Sequence, residues 1–69
     1  MSNLDDRLLA AHARDDRRAL VTLYTEAGSS ANTVDASCFY LTHAYIFALE
    51  MGHGDTDALH ARLAAHGRV

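Results

Sequence analysis

The stretch FYLTHAYIFALEMG, residues 39–52, sets the terms on which this chain can fold, because ten of its fourteen residues are apolar or aromatic. Placed at 100° steps, residues 34–51 carry apolar side chains nearly all the way round a helix. Val34, Cys38, Leu41, Tyr45, Ala48 and Leu49 fall on one face. Tyr40, Ala44, Phe47 and Met51 form a second face, about a third of a turn away. Phe39 and Ile46 lie between the polar residues of the remaining side. A helix apolar nearly all round is expected to be buried at the centre of its fold. A membrane span takes about 20 apolar residues. This run is shorter, and His43 and Glu50 interrupt it.

The remainder of the chain is helical in pattern too. It has no proline, and Gly28, Gly52, Gly54 and Gly67 are its strong breakers. No segment alternates polar and apolar residues with period 2. The expected fold is all-α, a single domain over residues 1–69 with three to four helices, at about 3–13, 15–28, 33–51 and 55–66. Ser2 can cap the first helix, with Asp5 in its first turn. Leu4, Leu8 and Ala11 make its apolar stripe, and a second stripe runs through Ala19, Leu20, Leu23, Tyr24 and Ala27. A break near Arg14–Asp15 is expected, with Asp15 capping the new helix, although the two stripes could also belong to one long helix. Gly28 suits the position just past a helix end, which makes 28–33 a loop. Asn32 or Thr33 then caps the central helix, Gly52-His53-Gly54 ends it, and Asp55 or Thr56 starts the last one. Leu59, Leu63 and Ala64 form the last helix's apolar side.

A chain of 69 residues buries only about 60% of the surface exposed on unfolding. Such a chain often leans on a disulfide, a metal or a partner. With Cys38 as its single cysteine, it can form no disulfide within itself. A lone cysteine, and an N-terminus MSNLDDRLLA without a basic start and apolar run, make the cytoplasm the expected setting. Six arginines, no lysine and nine acids give a net charge of −3. That charge argues against nucleic acid, which needs a concentrated basic face. Arg14, Arg17 and Arg18 do cluster, but Asp15 and Asp16 sit among them, as on a solvated face. Absent lysine with abundant Ala, Arg, Asp and His suggests a GC-rich bacterial source.

Leu20-Val21-Thr22-Leu23-Tyr24, followed by Gly28, and Ala36-Ser37-Cys38-Phe39-Tyr40 resemble the two halves of a tetratricopeptide helical hairpin. That family's pattern is L-G-x-x-Y in one helix and A-x-x-x-F in the next. The resemblance covers residues 17–44. It departs from the family at Arg17, where Trp is preferred, at Val21 in place of Gly, in a turn about three residues longer, and in the missing terminal Pro. The central D-A-x-C-F-Y-L-T-H-A-Y…A-L-E-x-G is also similar to a core in short uncharacterised bacterial helical proteins. The hairpin resemblance implies a peptide-binding concave side, and by that analogy Tyr40, His43, Phe47 and Glu50 are candidates for a partner surface. One repeat cannot bury both of its faces, so the expected arrangement is either a compact, small-bundle closure of the helices or self-association, by default as a homodimer, with self-association favoured.

Chemistry-bearing residues are few. No two of the five histidines His12, His43, His53, His60 and His66 stand at the i, i+3 or i, i+4 spacing of helix-borne metal ligands. No metal or cofactor is therefore expected. Cys38 lies on the most apolar face and reads as a buried structural residue. Asp55 and Asp57 superficially resemble a calcium loop but lack its frame and terminal Glu, so capping is the better reading. His43 and Glu50, seven apart on one side of the helix, could be an acid–base pair or the polar rim of a contact surface. The sequence favours a non-enzymatic interaction or assembly module. A small enzyme or metal-dependent accessory protein using His43 and Glu50 is the alternative, and a pH-sensing role for the histidines is a third reading.

Overall fold

The computed structural model describes residues 4–69. They form four helices: α1 (Leu4–Ala13), α2 (Arg17–Ser30), α3 (Val34–Met51) and α4 (Thr56–Ala65). The all-α expectation holds, and the first two apolar stripes belong to two helices. Each helix packs on its neighbour in the chain, with the most extensive contact between α2 and α3. The expected cap Ser2 lies outside the described residues.

The α1–α2 break is built from Asp15 and Asp16. Asp15 takes a left-handed backbone, φ 52°. Its N–H bonds the His12 carbonyl, and the Asp16 N–H reaches back to Ala11. This double bond closes α1 in a Schellman motif, at a residue type that tolerates left-handed φ. The N-cap of α2 is thus Asp16, one residue later than expected, and its carboxylate accepts from the Ala19 N–H at 3.1 Å. That bond, with the Arg14 guanidinium beside it, holds the Asp16 carboxyl below its ordinary pKa.

The α2–α3 turn corrects a second expectation. Gly28 does not end α2; it is buried inside it, and the helix runs on to Ser30. A Cβ on Gly28 would stand 2.7 Å from Leu41 Cδ2 and 3.2 Å from the Ser37 carbonyl oxygen. Its missing side chain is what lets α3 approach α2 there. The Ser37 hydroxyl donates to the Gly28 carbonyl at 2.8 Å across the same crossing. Thr33 caps α3 through the Ala36 N–H, as expected for one of its two candidates. Gly52, at φ 63°, closes α3. Asp55 precedes α4 without a side-chain cap bond.

The core has two parts. Val21, Cys38, Leu41, Ala44, Ala48, Leu59 and Leu63 form the larger, where α3 lies against α2 and α4. Leu8, Ala11, Leu20 and Leu23 join α1 to α2 in the smaller. Tyr24 and Phe47 touch both. Cys38 is buried, as its place in the sequence suggested. The expectation that α3 is buried on nearly every side fails. Its buried residues are Cys38, Leu41, Ala44 and Ala48, while Val34, Phe39, Ile46 and Leu49 are exposed. α2 and α4 cover one part of its surface, with His12 of α1 touching Phe47, and the described chain has no further element for the rest. No helix among the described residues is long and apolar enough to cross a membrane.

Candidate functional site

Two strips run side by side along α3. The first is an aromatic edge where α3 meets α2. Tyr40, His43 and Phe47 recur at three- and four-residue steps, which sets them on one side of the helix. All three are half-buried, and Tyr24 of α2 gathers them. Its ring stacks on His43 with centroids 5.0 Å apart and a 24° tilt, and on Phe47 at 6.0 Å and 17°. Tyr40 lies 6.3 Å from it. From α1, His12 adds an edge-on contact with Phe47 at 6.2 Å. His12 Nε2 and the Tyr24 hydroxyl share a 2.9 Å hydrogen bond, so the phenol finds its polar partner at the edge of the core.

His43 Nδ1 bonds the Phe39 carbonyl at 2.9 Å. A carbonyl only accepts, so Nδ1 is the donor in this bond. Glu50, the fourth sequence candidate, stands apart from the rings. It is exposed and faces Arg17 Nη1 at 3.7 Å. The structure therefore gathers Tyr40, His43 and Phe47 around Tyr24, and turns Glu50 to an ion pair with α2. Among the described residues, no three His, Cys, Asp or Glu side chains converge in a way that could hold a metal ion.

The second strip is the outer side of α3. Phe39 is 59% exposed, Ile46 49% and Leu49 53%. With Thr42 they follow the 3-4-3 spacing of an a/d seam, about 15 Å long. Asp35 and Glu50 lie near its two ends, and each has an arginine partner, Arg68 and Arg17. The bond to Asp35 pushes the Arg68 guanidinium still further up from its ordinary pKa. Phe39 links the two strips, with its ring 5.4 Å from Tyr40 and 4.7 Å from His43. Sequence reasoning chose the aromatic edge and passed over the outer seam. The signal was present, since Phe39 and Ile46 are the apolar residues set among Asp35, Thr42 and Glu50.

No protein-family model matches the chain, and neither a curated protein nor a solved structure matches it.

Proposed function

We propose that this chain is a non-enzymatic interaction or assembly module that associates with copies of itself, with α3 as its contact element. The observation behind this reading is the outer seam: Phe39, Ile46 and Leu49 stay about half exposed on the helix that also anchors the core. Exposed apolar residues that line up along one element are what contact surfaces are made of, whereas scattered ones are ordinary. Tyr40, His43, Phe47 and Glu50 flank the seam and form the polar and aromatic rim of the same surface. A tetratricopeptide-like hairpin for α2 and α3 belongs to this reading. It is supported by the wide α2–α3 contact and by Tyr24 and Tyr40 meeting between the two helices. So do a bacterial, cytoplasmic setting, in keeping with the buried free thiol, and an absence of nucleic-acid partners, in keeping with the net charge of −3.

Sedimentation over a concentration series tests the self-association. The weight-average mass is expected to rise from 7.5 kDa towards twice that value, 15.0 kDa. A mass that stays at 7.5 kDa up to millimolar protein overturns this reading.

A further inference from the structure

We infer that the occupant of the outer seam is the same seam of a second copy, laid antiparallel, so that Phe39 packs on Leu49 and Thr42 on Ile46 of the partner. The inference rests on the self-association proposed above and adds its element, direction and register.

The seam is ready for burial without cost in stranded polar groups. Its one polar residue, Thr42, already donates its hydroxyl to the Cys38 carbonyl at 2.7 Å, which leaves its methyl for the contact. His43 on the flank is likewise bonded through Nδ1 to Phe39. Burying Thr42 therefore leaves no hydroxyl donor newly unpaired at the seam. The charges also permit a copy of the same chain. The protein carries −3 overall, which opposes self-association elsewhere on its surface. At the seam each acid has an arginine beside it: Asp35 is paired with Arg68, and Glu50 faces Arg17, which Asp15 shares. A symmetric dimer brings a surface against itself, so a locally neutral patch is the one suited to it. A strongly charged partner finds no complementary field there.

The antiparallel direction follows from side-chain volumes. In a seam of this spacing, antiparallel pairing sets each a residue against a d residue of the partner. The large Phe39 then meets Leu49, and the small Thr42 meets the branched Ile46. A parallel pairing sets Phe39 on Phe39 and leaves two Thr42 methyls facing each other across a gap. Antiparallel helices also bring opposite dipole ends together. The shallow hollow of about 350 Å³ lined by Asp35, Cys38, Phe39, Thr42 and Arg68 lies at the end of the seam where Leu49 of the partner arrives. A seam about 15 Å long on a helix about 10 Å wide offers an area of about 150 Å², small against the roughly 800 Å² per partner of a standard interface. The dimer is expected to dissociate on dilution.

Disulfide trapping with mixed chains tests the arrangement. One chain carries Thr42→Cys and the other Ile46→Cys. Native Cys38 is kept, since it is only 2% exposed, and the unsubstituted chain serves as the blank. Both substituted positions are exposed, so the fold is expected to tolerate them. Circular dichroism checks this, and Phe39→Cys with Leu49→Cys is the second pair if either variant misfolds. Air oxidation of the mixture is expected to give covalent heterodimer several-fold in excess over both homodimers. Homodimers in excess overturn the antiparallel register. A dimer by sedimentation that gives no disulfide with either pair overturns α3 as the interface and leaves self-association standing. A monomer at every concentration overturns both.

Discussion

The inner and outer sides of α3 draw on the same kinds of residue and meet opposite fates. On the inner side Leu41 is 1% exposed and sits against Gly28. On the outer side Leu49, two turns along the same helix, is 53% exposed. The contrast shows that apolar content decides that a helix becomes central to a fold, while the number of neighbours decides how much of it is covered. In a chain this short the neighbours are exhausted before the apolar surface is.

The contrast can be broken from the inside. Leu41→Ala is expected to cost about 2–5 kcal/mol, the range for large-to-small changes in a packed core. Leu49→Ala at equal protein concentration is expected to change monomer stability by no more than about 0.5 kcal/mol, as for other surface changes. Denaturant melts of the two variants at micromolar protein read the difference. Equal losses would mean that the outer side is covered in the monomer as well.

Gly28→Ala sharpens the comparison at the tightest point of the inner side. Alanine gains about 1 kcal/mol of helix propensity over glycine, but overpacking a core costs about 1–3 kcal/mol. The added methyl would lie within 2.8 Å of two carbons of a fully buried leucine, so packing is expected to dominate. A net loss of about 1 kcal/mol is the expected outcome in urea unfolding. A gain would show that Leu41 can move aside.

The smallest effect concerns the cap at the start of α2. The folded-state pKa of Asp16 lies below its ordinary 3.8, so the ionised cap stabilises the fold above that pH. This contribution is lost as pH falls through the lower folded value. Asparagine caps helices about as well as aspartate. Asp16→Asn is therefore expected to lower the Tm slightly at neutral pH, with the gap closing in acid below pH 3.8. A gap that does not change with pH would mean that the charge contributes nothing beyond the cap bond.

Much of this was legible along the chain. The period of the apolar residues, the absence of proline and the Thr33 and Gly52 signals were enough to place three to four helices, with the Arg14–Asp15 break left open between one helix and two. The exceptions have two causes, one tertiary and one local. Gly28 looked like a helix end because a glycine after a helical run usually is one. Its real role, the close approach of Leu41, involves a residue thirteen positions away. Asp15 looked like a cap because its neighbour's bond to Ala19 and its own left-handed turn cannot be told apart from residue type alone. At the site, Tyr40, His43 and Phe47 were legible as one side of α3 because helical spacing is local. That His12 and Tyr24 complete the edge was not legible, because they come from other helices.

The sequence by itself determined the helices, their order and which of them would be central, since propensity, period and capping act over a few residues. Only the tertiary structure decided which half of α3 is covered. Coverage depends on where α1, α2 and α4 come to lie once their own stripes are buried. Residues with the same hydrophobicity, Leu41 and Leu49, are assigned to core and surface by that placement alone.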